Sequence, residues 1–427
     1  MAGIEAAGIF IIGGLAIVTG YFANLLFRRY KAPDILILMF LGWIIGRWAL
    51  SSAGVEVTDL VNSLIPFVSL FALSIIMFNG GLELSLIDIG VAGRDAVFLA
   101  LSMFALVVLV LTMLFFLMGI PIEMAALCGV VFGSTSAPTV IPLISSLRCS
   151  TRIRAVLILE SAITDVLVVG IGSAIVIYMA TPGTEPLDSL LSMLKSVATS
   201  LIIGSVIGVL WINCVPKLKK YRYFYILTLA MIMLIFGACE YVAPSGGSVI
   251  AVLMFGLILG NAHHMPKFLC HSPEKDLLGE KFNVLNEEVS FFIKVFFFTF
   301  LGMYVATLQI GLELLIYGTT VFFILVILRQ LVVALFKMRN NWARSELLSI
   351  RTMFPRGLCT IVVALLPFSH GVADGIAKDT LMGIVAFVVI ASTILTSAGA
   401  YLVERQLARE DVQKNEESPS PPLLLDL

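Results

Sequence analysis

The sequence has few of the residues on which soluble enzymes and metalloproteins depend. Only 13% of the 427 residues are charged, and four are histidines, whereas a soluble domain carries about 25% charged residues. None of the six cysteines forms a Cys-x-x-Cys pair, which excludes a zinc cage or redox motif of that pattern. No glycine-rich phosphate loop occurs, and the formal net charge is −1. The sequence therefore argues against ATP drive, any cofactor and a nucleic-acid partner.

Long hydrophobic runs dominate instead, since 59% of the residues are hydrophobic. A helix needs about 20 apolar residues to cross the hydrocarbon core of a bilayer. The polar and Gly/Pro segments divide the chain into thirteen candidate spans, near 7–27, 34–50, 60–80, 96–118, 124–147, 155–180, 190–214, 224–243, 245–261, 289–309, 311–336, 346–369 and 380–403. The sequence predicts an all-α polytopic membrane protein with thirteen transmembrane helices.

Basic residues predict the orientation of these spans. Twenty lysines and arginines fall in the odd-numbered connections and the tail, whereas Lys378 alone falls in an even-numbered one. Because cytoplasmic loops are enriched in Lys and Arg, we expect the N-terminus outside, the C-terminus inside and a location in the cell membrane. Residues 404–427 are charged and then rich in proline and serine, which predicts a disordered cytoplasmic tail.

Five ionisable residues lie deep within the predicted spans. An ionisable group at membrane depth costs at least about 2.5–3.5 kcal/mol, so it marks an ion pathway or a structural ion pair. The five are Glu160, Asp165, Lys294, Arg329 and Arg356.

The segment ILESAITDVLVV places oxygen ligands on neighbouring faces of one helix. Ser161 and Asp165 share a face, and Glu160 and Thr164 share the next. Hydroxyl and carboxylate oxygens suit a small hard cation such as Na⁺, so a proton and a cation would compete for Asp165. The alternative is that Asp165 only pairs with a buried basic residue.

Two spans carry residues that interrupt a helix. Span five contains Gly133, Ser134, Thr135, Ser136, Pro138 and Pro142, and span twelve contains Pro355, Arg356, Gly357 and Pro367. Irregular backbone at membrane depth is tolerated only where it lines a cavity or is buried in protein. Since the two spans are seven apart, they would be equivalent in two inverted six-helix repeats, an arrangement typical of transporter binding sites.

The buried basic residues need anionic partners. We expect Glu160 to pair with Arg356, which would hold span six against span twelve, and Arg329 to offset the partial charges of the broken helix ends. Lys294 is interpreted as a snorkelling or lumen-facing residue on an interface helix.

Taken in order, several segments resemble one family. They are APDILILMFLGWIIG, FNGGLEL, the span-five break, ESAITD, FFFTFLGM, the lone Arg329 and PRG. With these segments the chain resembles the monovalent cation:proton antiporter superfamily, in particular the NhaP type related to Na⁺/H⁺ exchangers. The likeness extends over nearly all of residues 8–403.

The resemblance implies a homodimer within the bilayer and an elevator-like motion. The membrane domain, 1–403, would consist of three parts. They are a dimerisation part (about 1–80 and 224–309), a mobile core (about 96–180 and 311–403) and a linker helix (about 190–214).

The resemblance also implies residue roles. Asp165 would bind Na⁺ (or Li⁺ or K⁺) or H⁺, with Ser161 and Ser136 as ligands, in a site that includes Thr135 and Thr164. Glu160 would be the partner of Arg356.

Two departures from the family pattern bear on function. Ser136-Ala137-Pro138 stands where relatives usually have Thr-Asp-Pro, and Thr164-Asp165 where they have Asn-Asp or Asp-Asp. One central carboxylate favours electroneutral exchange of one cation for one proton. The missing aspartate at Ala137 favours the alternative, a protein that has lost coupled exchange and serves as a cation or pH sensor or a channel.

An intramembrane enzyme is the competing class. An aspartyl protease needs two membrane aspartates, and only Asp165 qualifies. The four histidines lie in or near connections, where His263, His264, Cys270 and His271 are more typical of a solvated loop than of a metal site. The sequence therefore predicts a transporter rather than an enzyme.

Overall fold

The computed structural model describes most of the chain. The described residues are 2–30, 34–53, 70–84, 86–147, 149–181, 186–242, 247–265, 278–308, 311–338, 342–372 and 376–417. All regular structure within these residues is helical. The α-helices are α1 Ala2–Tyr30, α2 Asp34–Ala53, α3 Leu70–Glu83, α4 Leu86–Leu117, α5 Ile122–Val131, α6 Ala137–Ser145, α7 Thr151–Ala180, α8 Pro186–Leu218, α9 Phe224–Val242, α10 Gly247–Gly260, α11 Glu280–Thr307, α12 Leu312–Lys337, α13 Arg344–Thr352, α14 Leu358–Ser369 and α15 Lys378–Glu417.

The protein is an all-helical polytopic membrane protein. Among the described residues, seven helices are long and apolar enough to cross a bilayer by length and composition. Helices suit this environment because they satisfy their backbone hydrogen bonds within one segment. Shorter apolar helices, among them α5, α10 and α14, lie between the long ones.

Glycines bring several helices into backbone contact. A Cβ atom added at Gly42 of α2 would lie 2.0 Å from the Thr299 carbonyl oxygen of α11, and one at Gly302 would lie 2.1 Å from the Met39 carbonyl oxygen. In the same way α10 approaches α3 at Gly256, where an added Cβ would lie 2.2 Å from the Phe78 carbonyl oxygen. Small residues permit such approaches, which is how helices associate in lipid without a hydrophobic driving force.

A second set of helices surrounds the broken segments. Helix α4 packs on α5, α7 and α12, and α15 packs on α12, α13 and α14. The backbone is not helical between Val131 and Ala137, or between Thr352 and Leu358. The predicted interruptions of spans five and twelve are therefore present in the structure.

The C-terminal segment differs from the sequence prediction. Helix α15 continues through Glu417, so the segment predicted as a disordered tail from residue 404 begins as a helix. Glu410 gives a physical reason, because its carboxylate accepts hydrogen bonds from the Ser345 amide (3.1 Å) and hydroxyl (2.7 Å) at the start of α13. Residues 418–427 lie outside the described residues.

Candidate ion-binding site at the crossing of two broken helices

The two unwound segments contact each other directly. The Ser136 amide donates a hydrogen bond of 2.7 Å to the Pro355 carbonyl oxygen. A Cβ atom added at Gly357 would lie 2.2 Å from Ser136 Oγ and 2.6 Å from Ser136 Cβ. The two breaks, residues 132–136 and 353–357, thus contact each other, and we call this contact the crossing. Only glycine fits at position 357 without displacing Ser136.

Thr164 connects helix α7 to the first break through a hydrogen bond. The Thr135 amide donates to Thr164 Oγ1 at 3.0 Å, while that hydroxyl donates to the Glu160 carbonyl oxygen at 2.9 Å. The Thr164 hydroxyl therefore forms hydrogen bonds with the backbone of the first break and with the backbone of α7. This contact brings the predicted site residues Thr135, Thr164 and Asp165 together.

Asp165 faces the crossing and is 1% exposed. The Cys359 thiol, the Ser134 hydroxyl and the Ala137 amide face its carboxylate. Among the described residues, none donates a hydrogen bond of normal geometry to either carboxylate oxygen.

Thr135 Oγ1 is likewise buried without a hydrogen-bond partner in the described part of the chain. Buried polar atoms are nearly always paired, and hard cations prefer oxygen ligands. The crossing therefore concentrates unpaired buried oxygens that can accept a proton or coordinate a small cation.

Two of the predicted ligands have hydrogen-bond partners three residues away in the sequence. Ser161 Oγ donates to the Ile158 carbonyl oxygen at 2.9 Å, and the Ser136 and Thr139 hydroxyls are 3.1 Å apart. Their role as ligands stays a prediction.

The structure adds Ser134 and Cys359 to the site. Ser134 lies within the segment that the sequence marks as broken, and its hydroxyl is 3.2 Å from that of Thr360. Cys359 stands two residues after Gly357 in an apolar run, where the pattern indicates only a small hydrophobic side chain.

Glu160 and Arg329 form a fully buried ion pair. Arg329 Nη1 contacts Glu160 Oε1, and Arg329 Nη2 donates to Oε2 at 3.0 Å, with both residues 0% exposed. Arg329 Nε also donates to the Ile350 carbonyl oxygen at 2.7 Å. Arg329 thus binds the end of α13, where unpaired carbonyl groups carry partial negative charge.

The predicted pairing of Glu160 with Arg356 is wrong. Arg356 Nη1 donates to the Ser134 carbonyl oxygen, and the Arg356 amide donates to Ser392 Oγ at 2.9 Å. The reason is that Arg356 lies in the second break and donates to the Ser134 carbonyl oxygen of the first, whereas Arg329 reaches both Glu160 oxygens. Arg356 nevertheless lies close enough to Asp165 for electrostatic attraction.

Lys294 lies in a different pair. Its ammonium group contacts the carboxylate of Asp34, the first residue of α2. The pair joins α11 to α2, next to their glycine contact. The sequence interpretation of Lys294 as a snorkelling or lumen-facing residue did not include this partner.

The hypothetical histidine-rich metal site is only partly described. Cys270 and His271 lie outside the described residues. Within the described part of the chain, no three His, Cys, Asp or Glu side chains come together in a way that could hold a metal ion.

The fold and the crossing define a multi-pass helical membrane protein built around two broken helices. A family model described as sodium/hydrogen exchanger, transmembrane, matches residues 14–400. The chain therefore belongs to the sodium/hydrogen exchanger family, which confirms the resemblance drawn from its sequence segments. The members of this family are transporters and not enzymes.

Individual relatives are distant. The chain is 25% identical over 284 residues to the probable Na⁺/H⁺ antiporter 2 of Methanocaldococcus jannaschii, with 64% of each chain covered. It is 25% identical over 394 residues to the K⁺/H⁺ antiporter NhaP of Alkalimonas amylolytica, with 90% of this chain and 63% of the relative covered. The matches thus span slightly less than two thirds of both relatives.

The fold is also that of a solved structure. The sodium proton antiporter MjNhaP1 from M. jannaschii at pH 8 superimposes with a TM-score of 0.74. The match covers 94% of this chain and 99% of that one at 20% sequence identity. At this identity the likeness shows the fold alone.

Proposed function

We propose that the protein is a secondary transporter that exchanges Na⁺, Li⁺ or K⁺ for H⁺. The observation that carries the proposal is the Asp165 carboxylate, which is buried and has unpaired oxygens beside the crossing of two broken helices. A proton or a cation would neutralise it in turn. The relatives named as Na⁺/H⁺ and K⁺/H⁺ antiporters support this reading.

Coupling would follow from the cost of moving a bare charge. An ionised carboxylate at membrane depth costs at least about 2.5–3.5 kcal/mol. We expect the core carrying Asp165 to move past its neighbours only when a proton or cation is bound. Each time the core moves from one side of the membrane to the other, it would then carry either one cation or one proton.

The proposed motion is an elevator-like alternation between two access states. The mobile core would contain the residues of about 96–180 and 311–403, and the dimerisation part those of about 1–80 and 224–309, with residues 190–214 as the linker. The glycine contacts between α2 and α11 support a rigid scaffold, because close backbone packing resists sliding. A homodimer through this part belongs to the same proposal.

The topology is proposed on the same basis. If α5 with α6 and α13 with α14 are each counted as one pass, the fifteen described α-helices make thirteen passes, as two inverted six-helix repeats around one linker would require. The distribution of Lys and Arg supports a cytoplasmic C-terminus in the cell membrane.

Exchange is proposed to be electroneutral, since Asp165 is the one central carboxylate without a basic partner among the described residues. Glu160 does not offer a second unpaired carboxylate, because Arg329 contacts both of its oxygens. One proton would then replace one monovalent cation at Asp165.

Proteoliposomes with an internal pH dye and an imposed Na⁺, Li⁺ or K⁺ gradient test the proposal. The wild type should show cation-dependent pH changes whose rate does not depend on a clamped membrane potential. Asp165→Asn should abolish them, whereas Asp95→Asn, at a buried carboxylate paired with Arg152, should leave the exchange activity of the wild type unchanged. Folding of both variants is checked by gel filtration.

Wild-type protein that exchanges none of the three cations would overturn the proposal. That result would favour a cation or pH sensor or a channel, the reading suggested by Ala137 in place of the family aspartate.

A further inference from the structure

A second polar feature lies on the Asp165 face of α7, away from the crossing. A small cavity of ≈ 50 Å³ lies between α7 and α14 on one side and α3, α9 and α10 on the other. Val169 and Ser173 of α7 line it, and they follow Asp165 by one and two helical turns. Since a helix rises about 1.5 Å per residue, Ser173 lies about 12 Å along the axis from Asp165.

The cavity is mostly apolar but carries one acidic group. Glu240 at the end of α9 lines it, and Glu240 Oε2 accepts a hydrogen bond of 2.6 Å from Ser248 Oγ of α10. Ser248 is 1% exposed, whereas the Glu240 side chain reaches the surface. His370, which follows α14, lines the same cavity. Ser248 thus orients a carboxylate that remains accessible to solvent.

Such an arrangement attracts cations. Low-dielectric walls focus the field of a charge and raise the local concentration of counter-ions. Two apolar residues of α14, Val362 and Val363, line the cavity, and they follow Cys359, which faces Asp165, by about one helical turn. A cation held at the mouth would therefore lie on the same face as Asp165 without direct contact with it.

We propose that Glu240, oriented by Ser248, forms a weak monovalent-cation site on one side of the membrane, on the route to Asp165. The inference rests on the proposed function, and in the proposed topology this side is the outer one. The site serves cation capture from that side only. Release and capture on the opposite side do not pass it.

Transport kinetics measured separately from each side of the membrane test this inference. In right-side-out and inside-out vesicles, Glu240→Gln should raise the KM for the cation about three- to tenfold from one side only, with the maximal rate unchanged. Glu240→Asp should largely restore the KM. The matched control is Glu313→Gln, because Glu313 is an exposed acid in the first turn of α12 and its removal should leave both KM values unchanged.

Ionic strength provides a second readout. Screening shortens the range of the field of an exposed carboxylate from about 30 Å at 0.01 M salt to about 3 Å at 1 M. The KM difference between wild type and Glu240→Gln should therefore shrink when N-methylglucamine chloride is added. A new positive charge from His370→Lys should raise the same one-sided KM.

Equal KM values for Glu240→Gln and wild type on both sides would overturn the inference, as would an equal rise on both sides.

If the wild type shows no exchange, the proposed function fails, and a binding measurement then tests the Glu240 site on its own. In the Asp165→Asn background, ²³Na NMR line broadening should persist and should fall on adding Glu240→Gln. Unchanged broadening would contradict the site.

Discussion

At the scale of single residues, the buried charges behave in two ways. Glu160 and Arg329 neutralise each other through two contacts and are both 0% exposed. Asp165 has no such partner among the described residues, although Arg356 lies nearby. The structure thus distinguishes an ion pair that joins α7 to α12 from the carboxylate to which the proposed exchange is assigned.

Glu160→Gln should destabilise the protein strongly. Removing one partner of a buried pair leaves an uncompensated charge and costs about 3–5 kcal/mol. Here that charge is Arg329, whose guanidinium would keep its backbone contacts at the end of α13 and its contact with the Phe354 ring but lose the carboxylate. Thermal unfolding of the purified protein in detergent measures the loss.

Asp95→Asn is the matched comparison. Asp95 also pairs with an arginine, but the Arg152 side chain is 41% exposed, so removing this carboxylate leaves no fully buried charge without a partner and costs less than removing that of Glu160. A midpoint for Glu160→Gln as high as that for Asp95→Asn would contradict the structural role of the Glu160–Arg329 pair.

The residue types marked Asp165 and the two breaks as candidates, but they did not predict which atoms meet there. Asp165 stands out because a carboxylate in an apolar span has few explanations. The choice between Arg329 and Arg356 as the partner of Glu160 depends on the relative rotation of three helices, which no spacing within one helix encodes. Cys359 carried no signal because a thiol in an apolar run is typical of packing.

At the scale of elements, the crossing of the two breaks is the central feature. Their positions follow from sequence because Pro, Gly and Ser interrupt helices at membrane depth. Pro138 is the second residue of α6, where a missing amide hydrogen costs no helical hydrogen bond. Which atoms meet across the crossing, such as the Ser136 amide and the Pro355 oxygen, depends on tertiary packing.

Gly357→Ala should disturb this crossing. The new Cβ would approach Ser136 Cβ to 2.6 Å, so the backbone must move, at a cost of about 1–3 kcal/mol for overpacking. We expect slower exchange and a lower unfolding midpoint. Exchange in proteoliposomes and thermal unfolding measure the two effects.

The control is Gly170→Ala in α7. A Cβ atom there would meet nothing within 4 Å, and alanine favours a helix over glycine. Equal exchange rates for the two variants would show that the close approach at Gly357 has no part in function.

Composition predicted disorder for the end of helix α15, where the structure is helical through Glu417. Its last turns are rich in charge, a pattern typical of disorder. The hydrogen bonds from Ser345 to Glu410 place an acidic side chain at the N-terminus of α13, where the helix dipole favours it. This contact joins residues 65 positions apart, so a local pattern cannot reveal it.

At the scale of the whole molecule, hydrophobic content alone predicts a polytopic helical protein. The division into a scaffold and a moving core is not encoded in composition, and it stays part of the proposal. The glycine contacts at Gly42 and Gly302 indicate where backbones pack closely. The buried Asp165 indicates where a bare charge would oppose movement.

The central claim is that a proton and a cation compete for Asp165, and the pH dependence of the apparent KM tests it most directly. Exchange is measured in proteoliposomes over a range of cation concentrations at several pH values. On the acidic side the apparent KM should rise about tenfold per pH unit, because the ligand must lose its proton to bind the cation. The rate at saturating cation should stay constant. An apparent KM independent of pH, with a maximal rate that falls in acid, would contradict competition at a single carboxylate.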